Sequence, residues 1–312
     1  MKTAKNFLAV LMCAAMLFGS VAMFGGIASA AYKKEGFLTF QIEGDGAVLI
    51  KCDESATGEI TVPAAIGGVP VKRIASAELL GGRFGAFGSC EGITKLNLPD
   101  SITQIDDAAF IYCSKLAEIN IPAGVTEIGS NCFDGCESLK KIDIPDGVKS
   151  IGNNAFAGCK SLEEITIPEG VTSIDFYAFL DCINLEKVKI PESIKEISYR
   201  AFYNCTNLKS INLPRGISDI GFEALDGTAL YNDKLNWENG VLYVDSTLIS
   251  AEKSIDGAYE IKQGTTLVAS AAFNECYGLT SVTFPAGVTG LCEGAFLRCD
   301  GLSAVRLPDG LI

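Results

Sequence analysis

The sequence predicts an α/β solenoid: a stack of coils, each giving one short strand to a parallel sheet and one helical or 3₁₀ turn to the opposite side. Three columns of residues predict it. Cys90, Cys113, Cys136, Cys159, Cys182 and Cys205 recur every 23 residues, and Cys276 and Cys299 stand 23 apart again. Pro99, Pro122, Pro145, Pro168, Pro191 and Pro214 keep the same step, as do Pro285 and Pro308. Phe110, Phe133, Phe156, Phe179 and Phe202 form the third column, resumed by Phe273 and Phe296. A fixed period shared by three unrelated residue types marks stacked repeats. A coil this short cannot bury its own apolar side chains, so each leans on the next at the sheet spacing of about 4.8 Å.

Residues 1–30 read as a secretory signal peptide. Lys2 and Lys5 precede an apolar stretch, and Ala28-Ser29-Ala30 is a small-x-small cleavage signal, placing Ala31 at the mature N-terminus. No second apolar run of about 18 residues follows, so no membrane insertion is expected after cleavage. Residues 31–90 are expected to form an N-terminal cap and a loosened first repeat. Alternation around Gly44-Asp45-Gly46 signals a hairpin, Ile60-Thr-Val62-Pro63 a strand end, and residues 75–85 a glycine-bearing insertion, loop or short helix.

Residues 91–228 are the regular repeats. In one of them, Leu116-Ala-Glu-Ile119-Asn-Ile121 alternates as a strand does, and Pro122, with no amide hydrogen to donate, ends it. Val125 and Ile128 form a second apolar pair, and Phe133 and Cys136 are spaced as one helical or 3₁₀ turn requires. At Thr228 the cysteine column fails, and residues 229–253 read as an irregular hairpin insertion holding Trp237 and Tyr243. This insertion is either an aromatic binding projection or a filler of the core space left by missing column residues; the second is the expectation here. Residues 254–312 restore the repeat and stop in mid-repeat, as a portion of a longer protein would.

These columns resemble the BspA-like leucine-rich repeats of bacterial surface proteins, whose pattern is close to L-x-x-I-x-[IL]-P-x-x-[VI]-x-x-I-G-x-x-A-F-x-x-C. Residues 116–136 and 162–182 match it nearly position by position, and the likeness spans residues 91–228 and 254–312. The resemblance implies a right-handed leucine-rich-repeat solenoid or horseshoe of about ten coils. It also implies an exported or cell-surface protein whose partners are extracellular proteins, host matrix proteins among them. It names no ligand, since function lives in sites rather than folds.

Composition removes several function classes. The chain has no histidine, which excludes imidazole acid–base catalysis, the Ser/His/Asp arrangement and histidine-ligated zinc. With Lys2 and Lys5 gone, 25 Lys plus Arg falls to 23 against 38 Asp plus Glu, a balance that argues against nucleic acid. Of 12 cysteines, removal of Cys13 leaves 11. Aligned neighbours on parallel coils hold their Cβ atoms about 5 Å apart, beyond disulfide reach, so the column reads as buried free thiols. Cys132 and Cys136 lack the further ligands a metal site needs, and no metal or cofactor is expected.

The candidate working surface is the outer face of the main strand, where side chains alternating with the buried Ile and Leu project. In chain order they are Lys95 and Asn97, Glu118 and Asn120, Lys141 and Asp143, Glu164 and Thr166, Lys187 and Lys189, Ser210 and Asn212, Ser281 and Thr283, Ala304 and Arg306. Asn97, Glu118, Asn120, Lys141, Asp143, Glu164, Thr166, Lys187, Lys189 and Asn212 form the candidate binding set. The face mixes charges and holds no aromatic ring, which suits a protein partner and not sugar stacking. Non-catalytic binding or adhesion is therefore the leading expectation. A structural spacer within a longer surface protein is the second, and a hydrolase with a concealed carboxylate pair the third.

Overall fold

The computed structural model describes residues 31–76, 84–308 and 311. The expected signal peptide, most of the insertion at 75–85 and the final residue lie outside the described residues.

Each coil passes through two strand columns. The first contains Gly58–Thr61, Ile93–Asn97, Glu118–Ile119, Glu164–Thr166 and Lys187–Lys189. The second contains Gln104–Ile105, Glu127–Ile128, Ser150–Ile151, Ser173–Ile174, Glu196–Ile197 and Asp219–Ile220. Pairing is parallel and exactly one repeat in register: Glu164 opposes Lys187, and Ile174 opposes Ile197. Between the columns the prolines act as sequence reading requires. From Pro99 to Pro285, each closes its first-column segment and its carbonyl accepts the amide three residues on, Val148 to Pro145 at 3.0 Å and Val171 to Pro168 at 3.1 Å, turning the next apolar side chain inward. Residues 140–144 and 209–213 cross the first column without strand pairing. At the second of these the reason is local: the Leu213 amide donates to the Asp245 carboxylate at 2.8 Å instead of to a neighbouring strand.

The helical half of the expected coil shrinks to single turns. Cys136 N–H reaches the Phe133 carbonyl and Leu139 N–H the Cys136 carbonyl, both at 3.1 Å, which is 3₁₀ bonding, but amides just before them leave the coil. Phe133 and Gly135 donate to Ala155 and Ala157 of the next coil, each at 2.8 Å. The cause is a left-handed residue at two places per coil. Ala108, Asn131, Asn154, Tyr177, Arg200 and Glu223 form one such column (φ 53–59°), and Ser89, Tyr112, Gly135, Gly158, Asp181 and Asn204 the other. A left-handed residue cannot continue a right-handed helix. Among the described residues, the helices are Ala229–Asn232 and the 3₁₀ turn Lys234–Asn236, both in the insertion.

Inside the coils the phenylalanine column is a ladder of fully buried rings. Successive centroids from Phe87 to Phe202 lie 5.1–5.4 Å apart, and the planes from Phe133 onward are within 5° of parallel. Beside it runs the cysteine ladder, with all 11 described thiols free. Its inner members do more than fill space. Cys136, Cys159, Cys182 and Cys205 each direct Sγ to the Phe carbonyl 26 residues earlier, at 3.1–3.3 Å, so the carbonyls of Phe110, Phe133, Phe156 and Phe179 each accept their own coil's amide and the next coil's thiol.

The ends of the regular stack are closed by antiparallel pieces. The expected N-terminal hairpin is Leu38–Glu43 against Gly46–Cys52, turning at Gly44-Asp45, and its second strand runs parallel to Val69–Ile74. The expected hairpin insertion is Val241–Val244 against Thr247–Ala251. Alternation sends its two faces in opposite directions: Leu242, Val244 and Ile249 join the core of the preceding coils, while Val241, Leu248 and Ala251 join a second core with Phe273, Cys276 and Val282. The insertion thus lies between two stacked cores.

Candidate functional site

The outer face of the first column is where the predicted residues project. Glu118, Asn120, Lys141, Asp143, Glu164, Thr166, Lys187, Lys189 and Asn212 are exposed, and Asn97 is half-buried. Because the sheet is parallel and in register, each side chain sits directly beside its equivalent one repeat away. Like charges there would repel, since opposed side chains are close neighbours. The column avoids this by alternation: Glu59, Lys95, Glu118, Lys141, Glu164, Lys187. The Lys95 ammonium lies 3.7 Å from Glu59 and 3.5 Å from Glu118, and Lys141 lies 3.1 Å from Asp143.

The predicted residues do not all remain equally free. Asn120 folds back on the previous coil, its amide oxygen accepting from Leu98 N–H and its amide nitrogen donating to the Leu98 carbonyl, both at 2.8 Å. Asn97 donates to Glu59 at 2.7 Å and to Thr61 at 3.2 Å. These two asparagines tie coils together. In contrast, Lys141, Glu164 and Lys187 converge with Lys140, Glu163 and Glu186 on one shallow cleft of about 190 Å³. Lys187 and Lys189 have no carboxylate within 4.0 Å among the described residues. The cleft offers a checker of positive and negative groups at coil spacing, and no aromatic platform.

Burial governs the thiols of the cysteine column. Burial pushes the thiols of Cys113, Cys159 and Cys205 far up, and those of Cys132, Cys136 and Cys182 likewise. Even Cys276 is pushed up to about 11 and Cys292 to about 12, so thiolate, the nucleophilic and metal-binding form, is suppressed at neutral pH.

Trp237 is half-buried and packs on the preceding core, as the filling reading requires. Its indole N–H donates to the Tyr231 carbonyl at 2.7 Å, and the Lys234 ammonium sits 3.7 Å over its ring. Tyr243 is half-buried too, its hydroxyl 3.1 Å from that of Tyr259. Yet Trp237 also borders a cavity of about 320 Å³ between the insertion and the turn of the last regular coil. The strand-face reading missed the residues leading there. Phe176, Tyr199 and Phe222 occupy the same position of three successive coils, Tyr199 and Phe222 with ring centroids 6.1 Å apart. The 23-residue step that revealed the other columns shows this one as well.

A family model described as BspA type leucine rich repeat region matches the chain in six copies, over residues 83–181, 126–256 and 257–312. Solved structures resemble it over most of its length. A leucine rich cell surface protein from Faecalibacterium prausnitzii is 27% identical with a TM-score of 0.58, the match covering 91% of this chain and 78% of that one. The leucine rich repeat protein of T. pallidum is 31% identical with a TM-score of 0.55, covering 61% of this chain and 86% of that one. A leucine-rich repeat protein from Bacteroides ovatus, 24% identical with a TM-score of 0.50 and covering 92% and 89%, shares the fold. No curated protein matches the chain.

Proposed function

The chain belongs to the BspA-type leucine-rich-repeat family, and from that premise we propose that it is an exported or cell-surface binding module, non-catalytic, that holds an extracellular protein partner against its outer strand face. One observation carries the reading: the cleft where Lys140, Lys141 and Lys187 alternate with Glu163, Glu164 and Glu186, solvent-facing and mixed in sign. A surface of this kind selects partners by complementary charge, which sets encounter rate and register more than raw affinity. Similarity to a protein described as a leucine rich cell surface protein supports the location. Among the described residues no helix is long and apolar enough to cross a membrane.

The test is solid-phase binding of the purified chain to a panel of matrix glycoproteins, beside an Asp143→Lys/Lys189→Glu variant. The double change keeps net charge constant and inverts two outward charges that do not oppose each other in the sheet. Binding that is salt-sensitive and weakened about tenfold by the variant supports the reading. A second reading, that of a structural spacer, draws on the internal closure of the face, where Lys95 is shared by Glu59 and Glu118 and Asn120 is closed on Leu98. Silence across the panel from a folded sample favours the spacer.

A further inference from the structure

The cavity at the insertion has its own chemistry, independent of the strand face. Phe222 ends the surface aromatic run that begins at Phe176 and is itself 36% exposed where it borders the cavity. Tyr231 and Trp237, packed edge to face at 5.1 Å, form further apolar wall. At about 320 Å³ the space falls at the small end of the roughly 300–1,000 Å³ typical of ligand pockets.

Two acceptors on its wall are not matched by a cation. The Asn274 side-chain oxygen is buried and has no hydrogen-bond partner, a state that costs free energy until something fills it. Asp226 also lines the space and, among the described residues, has no cation within 4.0 Å, while burial pushes its carboxyl up to about 6. The other charged groups on the wall are already neutralised: Glu223 by Arg200, Glu252 by Lys234, and Lys253 by Glu275. A cationic ligand would find the Trp237 ring occupied by the Lys234 ammonium. What remains is an apolar aromatic wall beside two acceptors, the Asn274 amide oxygen and the Asp226 carboxylate, both able to take hydroxyl donors.

We propose that this cavity binds a neutral sugar ring, its C–H face against Phe222 and its hydroxyl groups donating to Asp226 and Asn274. A pyranose offers both surfaces at once, an apolar face for an aromatic ring and a row of hydroxyl donors for buried acceptors. The strand face, lacking aromatics, binds by charge; the insertion cavity adds a small-ligand site on a different side of the coils.

The chain's single tryptophan borders the cavity and serves as a built-in reporter. Methyl glucoside, methyl galactoside and N-acetylglucosamine are titrated while Trp237 emission is read, with choline as the cationic control and calorimetry of the same sugars in parallel. The expected result is saturable binding of at least one sugar, weakened about tenfold by Asp226→Asn, by Asn274→Ala and by the surface change Phe222→Ala, each with an intact thermal melt. The proposal fails if neither emission nor calorimetry detects a sugar, if the three variants bind as the parent does, or if choline binds more tightly than the sugars. Loss of partner binding by the strand-face variant leaves this result untouched, so the two sites stand or fall separately.

Discussion

At Asp134 a carboxylate sits where burial disfavours its charge, pushing its pKa up to about 6. In the unfolded chain an aspartate titrates near 3.9. Below about pH 4 both states are protonated and the folded state carries no penalty; above about pH 6 both are ionised and it carries the whole of it. Stability contributed here therefore falls as pH rises from about 4 to 6. Asp134→Asn removes the penalty, so its urea midpoint should exceed the parent's at pH 7.5 and equal it at pH 4. The shift corresponds to about 3 kcal/mol at most, and solvent reaching this partly exposed group reduces the expected gain to about 1 kcal/mol. A gain that persists undiminished at pH 4 would assign the effect to packing rather than to charge. A different residue-scale logic governs the thiols. The sequence reading treats Cys159 as a small apolar filler, whereas its Sγ lies 3.3 Å from the Phe133 carbonyl, so the column also bonds one coil to the next. A period cannot reveal such a bond, because it depends on where the neighbouring coil's carbonyl points.

Among elements, the phenylalanine ladder sets the strongest contrast between interior and end. Phe156 is fully buried between Phe133 and Phe179, both at 5.4 Å, whereas Phe296 is only partly buried and stacks on Phe273 alone among the column rings. Truncating a ring enclosed on both sides leaves a cavity that two neighbouring coils must share, costing about 3–5 kcal/mol. At the edge the loss is nearer about 1–2 kcal/mol, since solvent and relaxation fill the gap. Calorimetry should accordingly find Phe156→Ala lowering Tm much more than Phe296→Ala; equal losses would mean that the rings contribute singly and not as a stack. The strands, prolines and ladders were legible because each is a column with a 23-residue period. The helical half was not, since Asn131, Tyr177 and Arg200 carry positive φ without the glycine that announces it. The cavity was legible only in its aromatic column: Asp226 and Asn274 lie 48 positions apart in the sequence and meet because the insertion of residues 229–253 replaces a coil between them.

Across the whole molecule the stack is a one-dimensional chain of neighbours, so its cooperativity is set by its weakest interface. That interface is the insertion. The ladder from Phe87 to Phe202 ends there, Leu225 stands in the next column position, and the rings resume only at Phe273. Contact between the two cores runs largely through the hairpin, whose Leu242 faces backward and whose Leu248 faces forward, with Leu267 and Ala269 of the following coil adding to the backward side. Leu248→Ala deletes a fully buried side chain on the forward face and should cost the coupling about 2–5 kcal/mol. The regular coils before the insertion are more numerous than those after it, so residues 257–308 should open first. Hydrogen exchange is then expected to show two amide populations in the variant, with the parent more nearly uniform. One shared opening in the variant would instead assign the coupling to contacts that bypass the hairpin, chiefly the Ser270 amide on the Ile220 carbonyl at 2.9 Å. The same division bears on binding, because Phe222 and Asp226 belong to the coil before the hairpin and Asn274 to the coil after it. A sugar held by all three bridges the two cores, so sugar should restore uniform exchange to Leu248→Ala, and the double variant Leu248→Ala/Asn274→Ala should need about tenfold more sugar for the same effect.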